Sequence, residues 1–222
     1  MTLERALWEV ERLASQLPGE AGLFGDDIYR TTLLNEGSQQ FVRDALCLRD
    51  RYRFNTKIGE HRYNMLDKFP RFLDVDHEGA VRVDGDTIRQ TTQARKNRDA
   101  GEWQDAGKGT PSEYYLRDRQ WFELTPAPDA VVVVEIPAFC YPEPVDALED
   151  PLLNGHPMLE PYAMGPVYWA VGQLSMKDDK TFTRMMEFYQ ANVNKVKRQA
   201  HPDAVTAKRI RPLVYNSMRG TK

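Results

Sequence analysis

The apolar residues of this 222-residue chain change period twice, from helical near the start to strand-like in the middle and back to helical before the end. That order constrains the architecture more than any single motif. Short amphipathic helices need partners to complete a core, and here the partners lie on the far side of about a hundred residues of strands, turns and polar loops. The expected fold class is α+β: a four-helix bundle built from N- and C-terminal helices, with an inserted β-rich extension and a long loop.

Leu3, Ala6, Leu7, Val10, Leu13, Ala14 and Leu17 recur at i, i+3, i+4, i+7 and predict a helix over 2–17, capped by Thr2 and stopped by Pro18-Gly19. A second helix, over 27–46, starts at Asp26 or Asp27 and carries Leu33, Leu34, Gly37, Phe41, Val42 and Ala45. The third, over 157–174, aligns Leu159, Tyr162, Ala163, Val167, Ala170, Val171 and Leu174, but Pro161 and Pro166 require a late start or a kink. Asp178 or Asp179 opens the fourth, over 178–199, with Phe182, Met185, Met186, Tyr189, Val193 and Val196 on one face. These helices and a β-rich insertion over 52–140 make one domain spanning 1–200, followed by a basic arm over 201–222.

The insertion reads as short strands. Residues 53–58 and the surroundings of Arg62-Tyr63 are split by Gly59, and Phe72-Leu-Asp-Val-Asp leads through Glu78-Gly79 to Val81-Arg-Val. Asp84-Gly85 signals a tight turn, Asp118-Arg119 a hairpin between Tyr114-Tyr-Leu and Trp121-Phe-Glu-Leu, and residues 131–136 a buried strand. Residues 91–108 are polar and charged with one anchor, Trp103. A loop of that length in a compact domain points to a contact role.

Composition narrows the class. The N-terminal MTLERALWEVERL is charged where a signal peptide is apolar, and no apolar run approaches the roughly 18 residues of a membrane span, so assembly in the cytoplasm and no membrane contact are expected. Cys47 and Cys140 are too few for a disulfide framework and are expected to be reduced and partly buried. From Lys195 to Lys222 there are eight lysines and arginines against one acid, Asp203, although the net charge is −3. An acidic body therefore carries a basic C-terminal end, which suggests partners or faces of opposite charge.

Candidate chemistry is sparse. Asp74-Val-Asp76-His-Glu78-Gly79 begins like a calcium loop, but Gly85 stands where a bidentate glutamate is needed, so the carboxylates read as solvated hairpin acids. His61, His77, His156 and His201 have no ligand spacing, and neither cysteine sits at a nucleophile elbow. Gly107-Lys-Gly-Thr lacks the spacing of a phosphate loop and is followed by Pro111. No catalytic residue, metal or cofactor is expected. Two other classes stay open: a hydrolase or lyase using Asp74, Asp76 or Glu78, and a DNA-binding module using the basic arm.

A series of motifs carries a resemblance. Leu33-Leu-Asn35-Glu36-Gly-Ser-Gln39, Asp67-Lys-Phe-Pro70-Arg-Phe-Leu-Asp-Val, Val83-Asp-Gly, Trp103, Gly109-Thr-Pro111-Ser-Glu-Tyr114-Tyr115 and Trp121-Phe-Glu-Leu-Thr-Pro126-Ala-Pro128-Asp129 resemble, in that order, the head-to-tail adaptor (connector) proteins of tailed bacteriophages and prophages. The likeness runs from about residue 3 to about residue 197.

That resemblance implies a virion structural protein of the head-tail neck and no enzymatic activity. It implies a ring, commonly of twelve copies, beneath the portal of the DNA-filled head, with tail or neck proteins on the other face and DNA passing through without sequence-specific binding. A ring needs two different patches on each subunit. Arg95, Trp103, Tyr114 and Tyr115 are the expected subunit contacts. Lys208, Arg209, Ile210, Arg211, Pro212, Leu213 and Tyr215 are the expected portal-docking arm, an extended segment with apolar anchors among its cations.

Overall fold

The computed structural model describes residues 1–15, 26–92, 107–175 and 178–201. The architecture is mixed α+β, in two compact units: one takes Met1–Cys47 and the chain from Pro142 onward, the other Leu48–Tyr141. Helices α1 (Leu3–Ala14) and α2 (Asp27–Ala45) precede the β-rich unit, the one-turn α3 (Met65–Lys68) lies in it, and α4 (Met164–Leu174) and α5 (Asp179–Ala200) follow it.

Local chemistry sets the helix starts. The Thr2 hydroxyl accepts from the Arg5 N–H at 3.4 Å and the Asp26 carboxylate from Tyr29 at 2.9 Å, each serving a donor that the first helical turn leaves unpaired. Asp178 caps α5. The helix expected over 157–174 begins only at Met164, because residues 160–162 form a 3-10 turn around Pro161. Pro166 then falls at the third helical position, where its missing N–H costs no hydrogen bond. The first helix ends at Ala14 with Ser15 as its cap, shorter than the expected 2–17.

Within the helical unit, α1 packs on α2 and α4, and α5 packs on the same α2–α4 pair. Leu3, Ala6, Leu7 and Val10 of α1, Leu34, Phe41 and Val42 of α2, Val167 and Val171 of α4, and Tyr189, Val193 and Val196 of α5 are buried. Contact between α2 and α4 is close because of two glycines. A Cβ on Gly37 would meet the Pro166 carbonyl oxygen at 2.8 Å, and one on Gly165 would meet the Phe41 ring at 2.5 Å. The segment entering α4 is tied to α2 by Asn35, whose side chain donates to Val145 O (3.1 Å) and accepts from Val145 N–H (2.9 Å).

In the other unit β1 (Arg49–Asn55) and the long β11 (Val133–Cys140) pair antiparallel through seven residues. Strands β3 (Phe72–Val75) and β4 (Arg82–Val83) both pair with the opposite edge of β11, and β5 (Asp86–Thr87) completes that sheet. A second sheet runs β2 (Arg62–Asn64), β9 (Trp121–Thr125), β8 (Glu113–Arg117), β6 (Arg89–Gln90), while β7 (Lys108–Gly109) and β10 (Ala127–Pro128) form a short parallel pair. Phe54, Phe72, Val134 and Ile136 from the first sheet and Tyr63, Tyr114, Phe122 and Leu124 from the second share one core. Burying each such side chain contributes about 1.5–3 kcal/mol.

Three strand expectations are corrected. Strand β1 starts at Arg49 and ends at Asn55, so the β-rich region begins before residue 52 and Ile58 sits in an exposed turn. Residues 72–75 and 82–83 do not pair with each other; they share an edge of β11. Strand β11 continues past Ile136 through Pro137 to Cys140. Pro137 is tolerated because its side of β11 faces the link between β3 and β4, where Asp76 donates its N–H to the Pro137 carbonyl at 2.9 Å and no donor from Pro137 is required. Gly79 lets that link pass: a Cβ there would lie 2.6 Å from the Pro137 ring.

Candidate functional site

The carboxylates read from the sequence as a possible reactive or metal-binding group are held by arginines. Asp74 pairs with Arg119 at 3.2 Å, Asp76 with Arg49 at 3.3 Å, and Glu78 with the same Arg49. Asp76 is buried at 5% exposure, which corrects the expectation of solvated hairpin acids for this residue. Its carboxylate also accepts from the Glu78 N–H at 3.1 Å, so it braces the link beside Pro137. Arg49, Asp76, Glu78, Gly79 and Pro137 line an open recess of about 610 Å³. Among the described residues no group of three histidine, cysteine or acidic side chains is placed to hold a metal ion.

Cys140, His201 and the Lys108-Gly109 stretch belong to the framework. The Cys140 thiol is buried, and burial raises its pKa against the lowering influence of Arg71 beside it. His201 contacts the Leu46 carbonyl through Nε2 at 3.0 Å. Lys108 and Gly109 of the phosphate-loop-like stretch form a strand against Ala127 and Pro128.

Tyr114, an expected subunit contact, is 4% exposed and stacks on Phe122 with ring centroids 5.3 Å apart. Tyr115 is half-buried and sits on the opposite face of β8, in register with Glu123 and Arg62. Glu123 is buried, and Arg62 donates to it at 2.8 Å. Arg95, Trp103 and the arm residues Lys208, Arg209, Ile210, Arg211, Pro212, Leu213 and Tyr215 lie outside the described residues.

Two surfaces of the helical unit were not singled out from the sequence. On α1, Trp8 is 48% exposed; the guanidinium of Arg5 lies 4.3 Å from its ring and that of Arg12 5.8 Å, and Glu9 binds both arginines at 2.8 Å. Leu148, 55% exposed, accepts from the Glu4 N–H at 3.0 Å, one turn before Trp8. Asp146 and Glu149 flank it in a segment, 142–175, that contains five acids and no lysine or arginine.

On α5, Arg184, Phe188, Ala191, Lys195 and Arg198 are exposed and share one face at helical spacing. Phe188 leans on Tyr168 with ring centroids 5.3 Å apart, and Arg184 lies 5.6 Å from its ring. The sequence signal for both surfaces was an aromatic displaced from its helix's apolar stripe: Trp8 beside Leu7, and Phe188 beside Tyr189. No helix among the described residues is long and apolar enough to cross a membrane.

The family model described as SU10 adaptor protein matches residues 9–213 of the chain. No curated protein matches it.

Proposed function

The chain belongs to the SU10 adaptor protein family, a family of phage structural adaptors, and from that premise we propose that it joins the DNA-filled head of a virion to its tail as a closed ring. The observation that carries the reading is the family match over residues 9–213. In this reading the four long helices form a bundle, copies of the chain associate through two unlike patches, about twelve copies close the ring, and DNA passes through its centre. The portal protein lies on one side of the ring and tail or neck proteins on the other, assembled in the host cytoplasm. The work is binding, and no bond is made or broken.

The residues assigned to these contacts follow the chemistry of the chain. Residues 201–222 dock on the portal, with Ile210, Leu213 and Tyr215 as anchors and Lys208, Arg209 and Arg211 against acidic groups; repetition around a ring multiplies a weak contact. Trp103, with Arg95 and Tyr115, serves the subunit contact, while Tyr114 acts through the core that supports Tyr115. Trp103→Ala should weaken each subunit contact by about 2 kcal/mol; assembly equal to wild type would remove this residue from the interface.

Particles made without this chain test the whole proposal. The expected product is DNA-filled heads and free tails, seen by electron microscopy. Tailed, infectious particles lacking the chain would overturn it. Deleting residues 202–222 should leave the fold intact by circular dichroism and abolish capture by the portal, and retained capture would remove the arm from the proposal.

A further inference from the structure

The geometry points to the partner of each exposed surface of the helical unit: the acidic face of one copy, centred on Trp8 and Leu148, receives the basic stripe of α5 from the next copy. This inference rests on the reading of the protein as a ring of identical subunits. Both surfaces have the composition of an interface centre, an exposed aromatic with cations around it and an apolar neighbour. Their charge balances are opposite in sign: Glu4, Asp146 and Glu149 lie around the first, with Glu9 holding Arg5 and Arg12, and Arg184, Lys195 and Arg198 lie along the second, with Glu187 beside Phe188. Charge complementarity of this kind selects a partner and fixes the register of docking.

Among the described residues no ion pair joins the two rims within one copy. The acidic segment is fastened to the middle of α2 through Asn35 and Val145, while the basic end of α5 reaches the end of α2, where His201 contacts the Leu46 carbonyl. Eleven residues of helix separate these points, about 16 Å at 1.5 Å per residue. Consistent with that distance, Asp146, Glu149, Lys195 and Arg198 make no ion pair with any described residue. The helices bearing the two surfaces, α1 and α5, each pack on the α2–α4 pair. One copy thus offers two unlike patches on its two outer helices, which is what a head-to-tail contact requires.

Charge reversal on the full-length chain tests the pairing. One variant carries Lys195→Glu and Arg198→Glu, the other Asp146→Lys and Glu149→Lys, and self-association is followed by sedimentation velocity and by incorporation into particles. Each variant alone should associate at least about tenfold more weakly than wild type. Their equimolar mixture should recover association, because every contact in an alternating ring then joins opposite charges. Recovery also shows that both variants fold. Reversed chains that associate like wild type, or a mixture that stays dissociated while wild type assembles, would overturn the pairing and leave the ring intact. Wild-type chains that never self-associate, alone or in particles, would instead overturn the ring and this inference with it.

Discussion

Glycine and charge placement decide the consequences of single substitutions. Gly85 adopts φ +93° in the Asp84-Gly85 turn, and a Cβ there would meet nothing within 4 Å. Gly85→Ala should therefore destabilise the protein by backbone strain alone, about 1–2 kcal/mol in chemical denaturation; an unchanged midpoint would contradict the turn geometry. Glu123 is the opposite case, a carboxylate whose side chain is 1% exposed and which is held by an arginine still 38% exposed. Removing Arg62 alone leaves a buried charge unpaired. Arg62→Met should cost about 2–4 kcal/mol, with water reaching the half-exposed arginine site keeping it at the lower end, and the double variant Arg62→Met/Glu123→Leu should cost less. A double variant as unstable as the sum of its parts would show that the pair is not what stabilises this site. The capping residues Thr2 and Asp26 and the Asp84-Gly85 turn were legible because their chemistry acts on the next few residues. The burial of Asp76 is not legible from its neighbours in sequence, because it depends on Arg49 and on the strand containing Pro137.

The helices and strands follow the same division between local and distant causes. The buried stripes of α1, α2 and α5 follow directly from their 3.6-residue period, and Pro161 explains why α4 starts late. The apolar run of residues 131–136 ends before Pro137, whereas β11 continues through it. What allows it to continue is the gap between β3 and β4, which no local pattern reveals. At the junction of α2 and α4, Gly37→Ala should push Pro166 and Trp169 away from α2 and lower stability by about 1–3 kcal/mol. A neutral effect would show that the two helices yield easily there.

The segment entering α4 carries a pH signature. Asp150 accepts from the backbone N–H of Ala147 at 2.9 Å and of Asp146 at 3.0 Å, which lowers its pKa below the ordinary 3.8. A depressed carboxylate stabilises the fold fully above its unfolded value and loses that contribution as pH falls through the folded one. Asp150→Asn should lower the melting temperature at neutral pH and converge with wild type in acid below the depressed pKa. An equal difference at both would exclude this carboxylate as the cause.

At the scale of the whole molecule, the family was legible as an ordered series of motifs, and the described ones show why such motifs are weak alone. Asn35 ties down the 142–151 segment, Phe69 stacks on Tyr52 with ring centroids 4.4 Å apart, Tyr114 fills the core, and Pro128 pairs with Gly109. These are framework roles, and their order along the chain carries more information than any one of them. The surfaces around Trp8, Leu148 and Phe188 were not legible, because exposure on a helix depends on what the neighbouring helices leave uncovered. Of the charge polarity visible in the sequence, Lys195, Lys197 and Arg198 have positions on α5, and Asp146 and Glu149 flank Leu148; the other basic residues of the C-terminal segment lie outside the described residues.

The most direct test of the adaptor account is electron microscopy of purified virions in which this chain carries a density label, averaged at the junction of head and tail. The account predicts labels repeated evenly around a closed ring between the two. Labels absent from that junction, or present there as a single copy, would contradict it.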